Sequence, residues 1–344
     1  MRSARYIPPR TLTIQYNQGM RVLVTGATGL IGNALARELL ARGHAVRALV
    51  RDPERARQHL PGEVALVRGD VTAADTLPDA VRDIDWVFHA AGLPEQWQRD
   101  ESIFDRVNRQ GTAHLLDAAL DAKVARFIHT STMDVFAAPA GGTLVESNID
   151  REPKHTAYER SKQAAEQEAE LRRARGLDLV YVNPAAVYGP SPVHVGLNSF
   201  FIQLVGGKMP MVPPGGMSVV YVDGCTAAHI AAAERGVSGE RYLVADRHVS
   251  CAELAAEIAR QAGVGVPRRG PVWLVRAIAA TSAPLARAFG FRPLVAPGQL
   301  TFLLWDARVD ASKARSELGF EPTALELGVE RTLSALRDQG LIPS

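Results

Sequence analysis

The sequence is short of cysteine, of net charge and of long apolar runs, and each shortage argues against a class of protein. Two cysteines, Cys225 and Cys251, stand among 344 residues, and no Cys-x-x-Cys or Cys/His spacing surrounds them. That speaks against a disulfide framework and against a zinc site, and no metal is expected. Two small buried thiols in a reducing cytoplasm are expected instead. Lysine and arginine number 39 against 37 acids, a formal charge of +2. Such a balance offers no field to hold nucleic acid or an anionic membrane. No run of about 18 uncharged apolar residues occurs, so no stable membrane insertion is expected. The nearest run, Val272 to Phe289, is interrupted by Arg276 and Arg287. Two arginines without a strong basic face do not favour a membrane-surface role either. The first 19 residues hold Arg2, Arg5 and Arg10 and no acid. A targeting segment and a disordered tail both fit, the tail better, because Met20 directly precedes a clean strand.

What is present is a regular alternation. Strands are expected at Arg21–Thr25, Ala45–Val50, Val64–Arg68, Trp86–Ala90, Arg126–Thr130 and Leu179–Asn183. Helical stretches fall between them, among them Gly29–Arg42, Val107–Leu120 and Tyr158–Arg175. Strands that alternate with helices form a parallel sheet covered on both faces, and the near-continuous Val/Leu/Ile/Ala runs agree. After Pro184 the texture changes, with Pro and Gly crowding residues 189–218. Two short strands, Val219–Val222 and Tyr242–Ala245, and helices at Cys251–Ala262 and from Asp310 to Leu318 follow. The length suits one large domain with a smaller appendage. The division expected is 20–189 plus 219–246 for a dinucleotide-binding domain, and 190–218 plus 247–344 for a substrate-binding domain.

Between the first strand and the first helix stands Thr25-Gly26-Ala27-Thr28-Gly29-Leu30-Ile31-Gly32. Glycines three apart permit a tight turn and close approach of a pyrophosphate to the backbone. The exposed N–H groups and the positive helix end then hold its charge. The second strand ends in Val50-Arg51-Asp52. An acid at that strand end would suit the ribose hydroxyl of NAD, whereas an arginine suits the 2′-phosphate of NADP. Arg51 favours NADP(H), with NAD(H) the second option. Asp52 is the counter-sign, although with Pro53 behind it the same residue can cap the next helix. After the third strand, Asp70 fits two roles equally, an acceptor for an adenine amino group or a turn residue.

Tyr158 and Lys162 lie four apart and so share one helix face. A nearby ammonium favours the phenolate of a tyrosine, whose free pKa is near 10, and proton exchange near neutrality then becomes feasible. The fifth strand ends His129-Thr130-Ser131-Thr132. A hydroxyl at the carboxyl end of a strand points into the crevice where ligands bind in such sheets.

With these motifs in order, the chain resembles an extended short-chain dehydrogenase/reductase of the NAD-dependent epimerase/dehydratase family. TGATGLIG, His89-Ala90-Ala91-Gly92, Asn108-Arg109-Gln110-Gly111-Thr112, HTST, YERSK and Asn183-Pro184-Ala185-Ala186-Val187-Tyr188-Gly189-Pro190 carry the likeness over about residues 20–340. The later part resembles the dihydroflavonol reductase, 3β-hydroxysteroid dehydrogenase and hopanoid-associated epimerase-like branch. The resemblance implies an α/β Rossmann doubly wound parallel sheet with a smaller C-terminal substrate-binding domain, and a homodimer. It implies Thr132, Tyr158 and Lys162 as the catalytic set. Toward the cofactor it places Gly26, Thr28, Gly29, Leu30, Ile31, Gly32, Arg51, Asp70, Val71, Ala90, Ala91, Asn108, Thr130, Pro184 and Val187, with Tyr158 and Lys162. Asp134 and Tyr188 are substrate candidates. Met133–Ala137 departs from the family's usual run, so contacts there do not carry over. Gly224 stands where a second acid is frequent.

The expected activity is NADP(H)-dependent reduction of a carbonyl, or oxidation of a secondary alcohol, on a sizeable and partly apolar small molecule. Phe200, Phe201, Met209, Met211, Trp273, Phe289, Phe291 and Trp305 are pocket candidates, although such residues more often fill cores. The alternative is an epimerase or dehydratase that retains NAD, for which Arg292 and Arg308 are the nearest diphosphate-binding candidates. A non-enzymatic NADP sensor is a third reading, disfavoured because Tyr, Lys and hydroxyl are all intact.

Overall fold

The computed structural model describes residues 19–94, 97–193, 196–289, 293 and 296–343. The expected tail lies outside the described residues apart from Gly19. The two larger sheets are built from ten strands. In chain order these are β1 (Arg21–Thr25), β2 (Ala45–Val50), β3 (Ala65–Arg68), β4 (Trp86–His89), β5 (Arg126–Thr130), β6 (Leu179–Pro184), β7 (Ala186–Tyr188), β8 (Gly216–Tyr221), β9 (Arg241–Val244) and β10 (Arg247–Ser250).

Seven of them form one parallel sheet in the order β3-β2-β1-β4-β5-β6-β9. The order reverses between β1 and β4, which opens a crevice beyond the carboxyl ends of the central strands. This is the Rossmann arrangement. Side-chain alternation explains its apolar runs. Val22 and Val24 of β1 join one core with Phe88, Ile128 and Val180, while Leu23 faces the other with Val87, Phe127 and Leu179. Each such side chain contributes about 1.5–3 kcal/mol by leaving water, so strands buried on both faces carry few polar residues.

The strand expected at Val219–Val222 is β8. It pairs with β7 and β10 in a separate three-stranded sheet, whereas the Tyr242–Ala245 strand is β9 on the edge of the large one. The small sheet covers a third core containing Tyr188, Phe201, Val219, Leu254 and Val329. The helix expected from Val107 to Leu120 begins earlier, at Ser102, and widens into a π-helical stretch over Asp105–Gln110 before Gly111–Asp121. The helix expected at Tyr158 starts one residue sooner, as Ala157–Arg173. Thr156 and Glu159 form a reciprocal capping box there, with Glu159 Oε2 accepting the Thr156 backbone N–H at 2.8 Å. That cap sets Tyr158 in the first helical turn. Among the described residues no helix is long and apolar enough to cross a membrane.

Candidate active site

The glycine turn is shaped by contact. Gly26 has φ +69°, and a Cβ there would lie 2.6 Å from the Ala90 carbonyl oxygen. A Cβ on Gly32 would lie 2.2 Å from the Gly26 carbonyl oxygen. The turn therefore runs flush against the ends of β4 and of the helix Leu30–Ala41. Gly29 caps that helix with no side-chain acceptor, and no acid sits in its first turn. The first backbone N–H groups are left to an outside anion, and the positive helix end adds to their pull. This cradle fits a dinucleotide pyrophosphate, with Gly26, Thr28, Gly29, Leu30, Ile31 and Gly32 around it.

At the end of β2, Asp52 accepts the Arg55 backbone N–H at 3.1 Å and Pro53 takes the first helical position. The acid is thus committed to a cap. Arg51 is exposed beside it. Asp70 also serves its own turn, its Oδ1 accepting the Thr72 N–H and hydroxyl at 2.9 Å each. Oδ2 stays available. Val71 is buried under Gly111, where a Cβ would meet its Cγ2 at 2.8 Å. Ala90 and Ala91 are half-buried, and the Ala91 N–H donates to Thr25 Oγ1 at 3.2 Å. Thr25 stands 2.7 Å from His89 Nδ1, and His89 Nε2 stands 2.9 Å from Thr112 Oγ1, which donates to the Asn108 carbonyl at 2.6 Å. Thr112 has spent its proton, so His89 must donate from Nε2 and accept at Nδ1. Burial, with Lys162 nearby, lowers the His89 pKa to about 3 and keeps it neutral. Asn108 ties the next loop to the catalytic helix. Its Oδ1 accepts the Leu93 N–H at 2.8 Å, and its Nδ2 donates to Ser161 at 2.9 Å.

Thr132, Tyr158 and Lys162 are all buried at the carboxyl end of β5. Thr132 is the hydroxyl that acts on the Tyr158 phenol, and Phe104 packs edge-on against that ring with centroids 6.1 Å apart. Lys162 Nζ donates to the Thr130 carbonyl at 2.8 Å, and the Thr130 hydroxyl faces His229 Nε2 at 2.9 Å. Burial lowers the lysine to about 8, against the pull of Glu166 and Asp134 that raises it. The expected downward pull of Lys162 on the phenol does not dominate. Burial first, then the charges of Asp134 and Glu159, push the Tyr158 pKa up, and the Thr132 hydroxyl works the other way. Asp134 sits beside them, 4% exposed, with Oδ2 accepting from the Thr132 hydroxyl at 3.1 Å. Burial and Glu159 raise its pKa to about 7.

Behind the site runs a polar layer that the motifs did not announce. Glu166, one turn beyond Lys162, accepts from Asn183 Nδ2 at 3.0 Å and from Arg241 Nε at 2.7 Å. Asn183 also donates to the Thr132 carbonyl at 3.1 Å. Glu166 is thereby linked to the backbone of the catalytic hydroxyl. The available signal was its spacing, four and eight residues after Lys162 and Tyr158, on the buried helix face.

Pro184 is buried at the end of β6 and Val187 is half-buried on β7. Tyr188 is fully buried in the small sheet's core, stacked on Phe201 at 5.8 Å and edge-on to Tyr221. Its hydroxyl has no partner, and a Cβ on Gly328 would lie 2.3 Å from it. That burial makes it a packing residue of the small sheet's core. Phe201 shares that core, while Trp273 and Phe289 are 70% and 76% exposed. Trp305 is held by the Ala138 carbonyl at 2.7 Å. Phe291 and Arg292 lie outside the described residues, and Arg308 is exposed on a two-residue strand.

Sheet order, glycine cradle and crevice together define a Rossmann-type dinucleotide-binding protein. The model of the NAD dependent epimerase/dehydratase family matches residues 22–245, and the chain belongs to that family, whose members are NAD(P)-dependent oxidoreductases and epimerases. It is 32% identical to "Sterol demethylase protein B" of Methylococcus capsulatus over 94% of this chain and all of that protein. It is 30% identical to "3 beta-hydroxysteroid dehydrogenase/Delta 5-->4-isomerase" of Mycobacterium tuberculosis over 88% and 86% of the two chains. Among solved structures it resembles MoeE5 in complex with UDP-glucose and NAD, at 26% identity and TM-score 0.73, over 93% and 99% of the chains.

Proposed function

We propose that this enzyme is an NADP(H)-dependent oxidoreductase that interconverts a carbonyl and a secondary alcohol on a sizeable, partly apolar molecule. The observation that carries the reading is the buried grouping of Thr132, Tyr158 and Lys162, with Lys162 Nζ fixed on the Thr130 carbonyl at 2.8 Å. When bound, the nicotinamide supplies or accepts the hydride. Thr132 orients the reacting oxygen by donating to it. Tyr158 gives that oxygen its proton or takes it back. Its neutral phenol, favoured by burial, is the form that reduction requires. Lys162 steadies the phenolate left behind and reaches the ribose of the cofactor. Positioning and proton transfer together supply the rate.

The 2′-phosphate of NADP falls to Arg51, exposed where Asp52 is engaged as a cap. The substrate class rests on relatives named for sterol and hydroxysteroid chemistry. The retained-NAD epimerase or dehydratase is the second reading, favoured by the likeness to a protein that holds UDP-glucose and NAD. The purified protein decides between them. Exchangeable NADPH oxidised by sterol-like or flavonoid-like ketones supports the reductase, whereas tightly retained NAD with turnover of sugar nucleotides overturns it. Tyr158→Phe is expected to cut turnover by about 10²–10⁴-fold and to leave cofactor affinity unchanged.

A further inference from the structure

Asp134 is placed as more than a neighbour of the catalytic hydroxyl. Its Oδ1 is buried with no hydrogen-bond partner, while Oδ2 is 3.1 Å from Thr132 Oγ1. The backbone enforces this closeness. Thr132 caps the turn Met133–Val135 by accepting the Asp134 N–H at 3.3 Å, which folds the two side chains onto each other. Thr132 is also the hydroxyl that acts on the Tyr158 phenol, opposing the rise of its pKa, so it links the carboxyl to the phenol. A buried carboxylate with an orphan oxygen is costly, and the cost falls when the group carries a proton. Building on the carbonyl-oxidoreductase reading, we infer that Asp134 is a positioning residue that stores a proton and returns it to Tyr158 through the hydroxyl of Thr132.

The transfer balances. When Tyr158 gives its O–H proton to the substrate oxygen, the phenolate takes the Thr132 proton and Thr132 takes the Asp134 carboxyl proton. One O–H bond breaks and one forms at each transfer, and no electrons pass along the chain. Asp134 is left as a carboxylate and is recharged from solvent after product departs. Alcohol oxidation runs the same line backwards.

The groups facing Asp134 fit a proton store near neutrality. Tyr158, Glu159 and Lys162 face it from the catalytic helix, and Lys154 from the preceding loop, itself paired with Asp150 at 2.9 Å. Burial and Glu159 favour the acid, while the Thr132 bond, Lys154 and Lys162 favour the carboxylate, and the balance settles at about 7. A donor matched to the working pH is the efficient one.

The test combines spectroscopy and kinetics on the full chain. Infrared titration of the protein without substrate is expected to show a protonated-carboxyl stretch with a midpoint near 7, absent in Asp134→Asn. Carbonyl reduction by the wild type is expected to fall as pH rises through that midpoint. Asp134→Asn is expected to lose this limb and to be about tenfold slower on its acid side, with KM and thermal unfolding little changed. Asp134→Ser serves the same comparison if the asparagine variant does not fold. Absence of the stretch, or an unchanged pH profile in the variant, overturns the relay. If the stretch titrates as expected but no carbonyl is reduced, the oxidoreductase reading falls and, with it, the relay as a step of catalysis.

Discussion

Asp52 accepts the Arg55 backbone N–H at 3.1 Å, and this one bond changes the meaning of the second strand's end. A carboxylate held as a helix cap is turned toward its own helix, and Arg51 is left exposed at the adjoining position.

Cofactor choice is therefore expected to rest on Arg51. A guanidinium–phosphate bond is charge-assisted and contributes about 1.5–3 kcal/mol, or roughly 10- to 100-fold in affinity. Arg51→Ala should weaken NADPH by that factor and leave NADH nearly unchanged. Fluorescence titration with both nucleotides checks this. Equal loss for the two, or none for NADPH, would remove Arg51 from the site.

The same strand end shows where reading the chain works and where it stops. The glycine turn and the Tyr158–Lys162 pair were legible because both are local: spacing alone puts them on a helix start and on one helix face. Strand positions followed from apolar runs buried on both faces. The membership of β8 in a second sheet was not legible, since strand pairing depends on partners far along the chain. Asp134 announced a departure from the family pattern, but its burial comes from the fold around it. Glu166 and Asn183 meet across 17 residues and two elements, which no local pattern encodes.

Tyr188 separates packing from substrate contact. Its hydroxyl is buried without a partner, close to Gly328. An unpaired buried hydroxyl costs about 1–3 kcal/mol, so its removal with the ring kept should be neutral or stabilising. Tyr188→Phe is expected to keep or raise the unfolding midpoint and to leave kcat and KM unchanged. A raised KM with intact stability would return Tyr188 to the substrate site.

Acid sensitivity follows from the buried titratable groups, and the signs oppose one another. His89 and His229 are lowered to about 3 and about 4 by burial, and His129, buried with neither ring nitrogen partnered, lies well below its usual value. An unfolded histidine titrates near 6.5. Between about pH 4 and 6 each of the three takes up a proton on unfolding, so their contribution falls as pH falls. Asp134 and Asp246 are raised by burial to about 7 and about 6. They hold protons when folded and release them when unfolded, near pH 4, so they add stability as pH falls through the same window. Asp134→Asn removes one of these releases, so its folding constant should fall about tenfold further per pH unit than that of the wild type. Exposed carboxylates are common to both proteins and cancel in the comparison. Urea unfolding of the two across this window measures the difference. Parallel slopes would mean that Asp134 is already ionised in the folded protein.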